Sequence, residues 1–555
     1  MPVLLAIGLA ASGVVGILGF WAYYGDRLLG ESFSYLVLFG SIVLVCLSLY
    51  GGHLNRALLR SLAVPLALWA LGSAFVLFLG FAHGGAETPL ATAATRFSHP
   101  LPPDNEIPRF FADWFFANGH DGVPAIFPGE WHSSDRPPLQ VGYALSQRPF
   151  GWDGDGLSYQ VLGVVLQQLW IVGLWALLLA ARIGRVTRGL VMATALVSAL
   201  TIVNAFFVWP KLLPAAMLLA VAALVTTPLW SEVRRSLWAA ALIAGLCGLA
   251  MLGHGSSVFG IVPLALLAAY RGLPSLRWLG VGLAVGAVLM GSWAAFQKYD
   301  DPPGNRLTKW TLASALAIDD RSTSEAVVDA YDEAGVGGTI DNKVENFETM
   351  VGGVAAWDTL ENAVRSGDIG EIARAFRSVF FFYLLPSLGL LLLAPVAMAI
   401  ARVRGPRHGA EWSFALTCFA VFALGSVVWG LLVFGGPEDR TLVHISSYLL
   451  PLLGVAGAIA GLRATFPRFA LGLAGAAVLL TLALYAPALD PPSDSAYSPL
   501  YLLLAAAGLA GFAIVAMRED EADKPQAAVD PSGFRPTDAA AVGAAAGGEP
   551  SRSGR

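Results

Sequence analysis

The chain has 555 residues, of which 56% are hydrophobic and only 13% charged, and its mean hydropathy is +0.65. About a quarter of the residues of a soluble domain are charged, so this composition excludes a soluble globular protein and points to an integral membrane protein. The net charge of −5, with no basic stripe carrying interleaved aromatics, gives no sign of a nucleic-acid partner. Cys46, Cys247 and Cys418 all lie inside apolar runs and read as packing residues, not as a disulfide framework.

The N-terminus, "MPVLLAIGLAASGVVGILGFWAYY", lacks a basic leading segment and is long enough to span. It reads as a retained first helix rather than a cleaved signal. A crossing needs about 20 apolar residues, and about fourteen such runs follow one another along the chain. They lie near 2–24, 33–50, 61–82, 157–181, 189–208, 212–229, 236–253, 256–270, 278–296, 377–401, 412–434, 442–461, 469–486 and 498–516. Arginines crowd into alternate loops: "HLNRALLR", "RIGRVTR", "SEVRR", "RGLPSLR", "RVRGPRHG" and "RATFPR". Positively charged loops stay on the cytoplasmic side, which predicts cytoplasmic termini and places the loops after the third and ninth runs outside. The fold class expected is an all-α polytopic protein of the cell membrane.

Five regions follow from this layout. Residues 1–60 supply two N-terminal helices additional to a transmembrane core at 61–296, which contains a first extracytoplasmic loop at 83–156. A second loop covers 297–376, and further spans fill 377–517. Residues 518–555, rich in Ala, Gly, Pro and Ser, read as a disordered cytoplasmic tail. The first loop retains apolar pieces such as "IPRFFADWFFANG", suited to a short helix in the interface plane. The second offers "STSEAVVDAYDEAG" and "VENFETMVGGVAAWDTLENAVRSG", each with an acid near its start and one apolar face.

Charges beside a bilayer are costly and tend to serve a purpose, and here they cluster on the outer side. The first loop supplies "DNEIPR" (Asp104, Glu106, Arg109) and "WHSSDRPPLQ" (His132, Asp135, Arg136). Lys211 follows the fifth run and His254 the seventh. The second loop opens with Asp300, Asp301, Arg306 and Lys309, and "GGPEDRTLVHISSY" adds Glu438, Asp439, Arg440 and His444. Converging cations would hold a phosphate-bearing lipid and stabilise charge on it as it leaves. A carboxylate would take the proton of an acceptor hydroxyl.

Each residue has a plainer reading. Asp104 suits a cap of the helix that Pro108 begins, and Glu106 suits the same helix dipole. Asp135 and Arg136 suit a local ion pair, Lys211 a snorkelling lysine, and His254 a satisfied interface residue. Arg440 and His444 stand one helical turn apart and would face the same way. His83, His99, His120 and His132 share the first loop without zinc-site spacing. A bound Mg²⁺ or Mn²⁺ would take carboxylates, Asp104 and Glu106 being the pair on offer, so the metal stays open.

At "DNEIP" and "DRPPLQ" the chain resembles the GT-C superfold of membrane glycosyltransferases, in the branch of protein O-mannosyltransferases and lipid A aminoarabinose transferases. That branch carries an acidic motif early in its first large outer loop and ends the loop in an aromatic or basic residue before Pro-Pro-Leu. The resemblance covers roughly 61–300. It implies Asp104 as general base and Glu106 as its neighbour or a metal ligand; the outer-side cluster itself offers Arg109, Asp135, Arg136, Lys211, His254, Arg306, Lys309, Arg440 and His444 as substrate contacts. It further implies a polyprenyl-phosphate sugar as donor, an envelope glycan, lipid or protein as acceptor, and a bacterial envelope as setting. Two features depart from the pattern: the acidic loop follows the third run instead of the first, and Asn105 separates the two acids. The rival from another class, a transporter or flippase for a lipid-linked saccharide, predicts ionisable residues in mid-span and an internal repeat. Few such charges and no repeat are visible. An envelope polysaccharide ligase or polymerase differs mainly in using a diphosphate-linked donor.

Overall fold

The computed structural model describes residues 1–50, 53–97, 101–120, 131–151, 156–317, 320–382, 386–405, 409–435, 448–488 and 496–518. All regular structure among them is helical. Helices α1 (Pro2–Gly25), α2 (Arg27–Tyr50) and α3 (His53–Gly80) lead into the first loop, which carries α4 (Pro89–Thr95), α5 (Ile107–Asn118) and α6 (Leu139–Gln147). Bundle helices follow: α7 (Leu157–Gln167), α8 (Trp170–Ala180), α9 (Arg185–Leu196), α10 (Ala199–Phe207) and α11 (Leu212–Val225). A short α12 (Trp230–Val233) precedes α13 (Leu237–Gly253), α14 (Val258–Arg271) and α15 (Leu276–Ala295). The second loop holds α16 (Arg306–Ala313), α17 (Thr323–Met350), α18 (Gly353–Ser366) and α19 (Ile369–Phe382). The chain then runs through α20 (Leu393–Val403), α21 (Ala410–Leu432), α22 (Leu449–Thr465), α23 (Pro467–Tyr485) and α24 (Pro499–Ala516).

Apolar runs become helices because a segment in lipid must satisfy its own backbone groups. Their starts carry recognisable signals. Proline occupies the first turn of α1, α4, α23 and α24. Ser198, Ser275 and Ser498 accept the amide three residues on, opening α10, α15 and α24. Ser322 and Glu325 close a reciprocal capping box at the start of α17, the acid that "STSEAV" placed there.

Eight helices or helix runs among the described residues are long and apolar enough to cross a membrane, or nine if the pair α9–α10, bent by 53°, is one crossing. The protein is thus a helical membrane protein. Five other apolar runs of the sequence fall on shorter helices, α11, α13, α14, α20 and α22. The run at 377–401 is not one helix. α19 carries its first part, a 3-10 turn at Pro386–Leu392 intervenes, and α20 completes it. Pro386 lacks the amide that a continuous helix needs, and Gly389 adopts φ 53° inside the turn.

Burial sorts the helices into centre and rim. Every residue of α11 is buried, as are nearly all of α8 and Leu449–Leu462 of α22. Only Gly30 and Ser34 of α2 are buried, so its apolar surface faces outward, as lipid contact requires. α1 packs into the bundle against α6, α8, α11 and α13. Its approach to α6 is backbone on backbone: a Cβ added at Gly142 would collide with the Gly16 carbonyl oxygen, the small-residue packing that membrane helices favour.

Polar side chains tie the loops to helix ends. Arg96 is 1% exposed and donates to the carbonyls of Leu79 (3.2 Å), Ala486 (2.8 Å) and Ala488, joining the ends of α3 and α23. In the second loop, Lys343 Nζ donates to Val433 O and Asn346 Nδ2 to Gly430 O and Val433 O. Both meet the open carbonyls at the end of α21, where a cation is also favoured by the helix dipole. Thr311 O accepts from the Phe434 amide at 2.9 Å.

Candidate active site

Asp104 lies in a 3-10 turn, Pro103–Asn105, just ahead of α5. The N-cap position of α5 is Glu106, whose side chain makes no capping bond, so neither acid serves as the cap. The Asp104 carboxylate instead accepts from Arg136 Nη2 at 3.1 Å. Burial works against the Arg136 charge, while Asp104 and then Asp135 support it. Beside Asp104 the Asn105 side chain is fully buried and donates to Leu90 O at 2.9 Å, which anchors the turn to α4.

The stretch 131–136 supplies most of the remaining chemistry. Trp131 lies between two guanidinium contacts: Arg136 Cζ is 4.2 Å from its ring centroid and Arg306 Cζ is 4.1 Å. Each guanidinium is attracted by the quadrupole of the indole ring, and the shared ring links the first loop to the second. His132 Nδ1 sits 2.8 Å from Asp301 Oδ1, while Asp301 Oδ2 accepts from Ser133 Oγ at 2.6 Å and from the Ser134 amide at 3.0 Å. A carboxylate accepts, so His132 carries a proton on Nδ1. Asp135 does not pair with Arg136. It is 4% exposed, accepts the His132 amide at 3.1 Å, and burial raises its carboxyl above the ordinary range. Ser134 Oγ, Asp135 Oδ1 and Arg136 Nε are buried without a hydrogen-bond partner, three open polar atoms in consecutive residues.

Lys211 precedes α11 and is 3% exposed, so it does not snorkel. Its Nζ lies 2.7 Å from His254 Nε2 and 4.3 Å from the Trp209 ring centroid. Burial drives its ammonium well below the ordinary value, Arg136 pushes the same way and Asp104 opposes both. Those two influences place Lys211 in the same cluster as the Asp104–Arg136 pair.

A buried chain of hydrogen bonds holds the parts in register. Tyr159 Oη donates to Asn105 O at 3.1 Å and accepts from Gln140 Nε2 at 2.8 Å. Gln140 Oε1 accepts from Gln167 Nε2 at 3.1 Å. Gln167 Oε1 takes the Leu212 and Leu213 amides at 2.9 and 3.1 Å, the open donors at the start of α11. The chain therefore runs from the neighbour of Asp104 to the neighbour of Lys211. Gln140 is the last residue of "DRPPLQ".

Arg109 and Lys309 are engaged elsewhere, and Arg306 only in part. Arg109 is turned to Asp113 (3.8 Å), which also pairs with Arg148 at 2.6 Å. Arg306 Nε donates to Leu316 O at 2.6 Å while its guanidinium reaches Trp131. Lys309, 1% exposed, donates to Arg321 O at 3.2 Å within the second loop. Arg440 and His444 lie outside the described residues, as does His99. No group of three metal-ligating side chains occurs among the described residues, and Asp104 is already met by an arginine.

Trp131 and the glutamine chain go unnamed among the site components expected from sequence, and Asp301 is named there without its partner His132. Gln167, in the midst of an apolar run, was the available signal, since a buried amide in a span needs partners. One small cavity is lined by Tyr159 of the glutamine chain with Arg109, Asp113 and Arg148, and the larger cavities described lie elsewhere in the bundle. The largest described, about 680 Å³, runs between α20, α21 and α22 past Met398, Trp412 and Phe419. Compared with known proteins, the chain matches no protein family, no curated protein and no solved structure.

Proposed function

We propose that the protein is a membrane glycosyltransferase that moves a sugar from a polyprenyl-phosphate donor to a cell-envelope acceptor outside the cytoplasm. The observation that carries this reading is the convergence of Asp104, Arg136 and Lys211 from three distant segments, with Arg306 joined to them through Trp131. Cations at this point bind the donor phosphate and stabilise its charge as it departs. Asp104 takes the proton from the acceptor hydroxyl as that oxygen attacks the anomeric carbon. A single displacement of this kind inverts the sugar. The three open polar atoms at 134–136 are the further contacts that a polar ligand would satisfy.

In the topology proposed, all fourteen apolar runs cross, both termini are cytoplasmic and the cluster faces outward. The contacts support one part of this. The segments expected on the outer side meet in two groups, 104 with 131–136, 301 and 306, and 211 with 254, and the glutamine chain runs from Asn105 to Leu212 between them. Arginine-rich segments expected inside also meet: Thr187 meets Glu411, and Trp230 Nε1 donates to Gly272 O at 3.1 Å.

The test is transfer of labelled sugar from a lipid extract by the purified protein and its Asp104→Asn variant. Loss of transfer in a stably folded variant supports the reading. Undiminished transfer removes Asp104 as base. Saccharide uptake into sealed vesicles that survives the substitution favours a transporter.

A further inference from the structure

The Ser256 backbone decides how protons are shared between His254 and Lys211. His254 Nδ1 accepts the Ser256 amide at 3.1 Å and lies 2.9 Å from the Ser256 hydroxyl, which can donate to the same atom, and an amide nitrogen only donates. Nδ1 therefore carries no proton, and the single proton of a neutral imidazole is on Nε2. That atom is 2.7 Å from Lys211 Nζ. An N–H donor at this length needs a lone pair opposite it, and an ammonium has none. Lys211 is thus a neutral amine that accepts from His254.

The surroundings agree with that assignment. The charged groups acting on Lys211 are Arg136 and Asp104, which are themselves bonded to each other, and the Trp209 ring covers the amine. Among the described residues, a second cation beside Arg136 in a buried position would share Asp104 and have no further carboxylate of its own. Burial and Arg136 both lower the Lys211 ammonium below its ordinary range.

We propose that the site takes up its anionic headgroup together with a proton: a phosphodiester arriving beside Arg136 and Lys211 converts the Lys211 amine to an ammonium. The proton comes from the aqueous medium and bonds to Nζ. Lys211 then donates to a phosphate oxygen instead of accepting from His254. His254 is a positioning residue, holding the amine in its uncharged form until the anion is present. The identity of the anion rests on the glycosyl-transfer reading, whereas the proton arrangement rests on the Lys211–His254–Ser256 geometry alone.

Calorimetric titration of the full-length protein with a short-chain prenyl methyl phosphodiester tests this. Such a probe keeps one negative charge throughout the neutral range, so any proton change belongs to the protein. Titrations in buffers of different ionisation enthalpy give the protons bound per anion. The expected result is uptake of about one proton by the unaltered protein, with affinity falling as pH rises by up to roughly tenfold per unit. Lys211→Arg, charged from the start, should bind the probe with uptake near zero. Lys211→Met should bind at least about tenfold more weakly, also without uptake. Binding without proton uptake in the unaltered protein overturns the inference and leaves the transferase reading standing. Equal uptake in Lys211→Met overturns it as well. Failure of the probe to bind at all removes both.

Discussion

Arg136 reaches Asp104 at 3.1 Å across 32 positions of the chain, closing the first loop on itself and bringing its acidic start against its basic end. The same guanidinium lies on Trp131 and so toward Arg306 of the second loop. In Asp104→Asn the amide oxygen still accepts from Arg136, so the fold is expected to persist while transfer falls by about 10²–10⁴-fold, the usual loss for a general base. Arg136→Lys keeps a charge but gives up the planar fork that spans carboxylate and ring. Its rate should drop at least about tenfold. Initial rates of labelled-sugar transfer measure both, and a normal rate in either variant removes the assigned role.

Gln140 is the junction of the buried chain between Asn105 and Leu212. Gln140→Leu strands the Val208 carbonyl and one Gln167 donor, and it takes a donor from the Tyr159 hydroxyl, which keeps its bond to Asn105 O. Leaving a buried polar group unsatisfied costs about 1–3 kcal/mol, so a loss of several kcal/mol is expected in thermal unfolding in detergent. Transfer should fall further than stability accounts for, since Asp104 and Lys211 lose their common register. A variant as stable and as active as the unaltered protein would show the chain to be incidental.

What could be read in advance divides along physical lines. Apolar runs report the bilayer directly, so the helices appear close to where hydropathy places them. The breaks at Val197–Ser198 and Pro386–Leu392 depend on a cap and a turn inside otherwise apolar runs, and composition does not weigh single residues of that kind. The charged motifs named Asp104, Arg136, Lys211 and His254, and the structure brings these together. Their pairing was not legible. Asp135 stands next to Arg136 and suggested an ion pair, yet its carboxylate turns back to the His132 amide. Asp301 stands far from His132 in sequence and is its partner. Sequence neighbours share a backbone direction, not a side-chain destination, and only the crossing of helices decides which loops meet.

The α1–α6 contact gives a sharp steric contrast between two glycines. Gly142→Ala places its Cβ against the Gly16 carbonyl oxygen and close to the Phe20 amide, both backbone and unable to yield. Separation of α1 from α6 should then lower the unfolding temperature and, through Gln140 on the same helix, the transfer rate, with overpacking costing about 1–3 kcal/mol. Gly286→Ala on α15 meets nothing within 4 Å and removes a helix-interior glycine. It should leave stability unchanged or raise it by up to about 1 kcal/mol. Equal behaviour of the two variants would mean that α1 and α6 are not in backbone contact.

The neutral state of Lys211 also has a consequence without any ligand. In the unfolded chain this lysine holds a proton at any pH below its ordinary 10.5, whereas in the folded protein the value lies well below that because of burial and Arg136. Between the two values the unfolded state carries one proton more, so stability must rise with pH across that window. The slope from this group is at most about 1.4 kcal/mol per pH unit. Below the folded value both states are protonated and the slope from Lys211 vanishes. Lys211→Met abolishes the term, so the stability advantage of the variant should shrink as pH is raised toward the ordinary lysine value of 10.5. Unfolding midpoints of the two proteins measured over that range decide the matter: parallel curves would mean that Lys211 is charged in the folded state, and the pairing with His254 would have to run in the opposite direction.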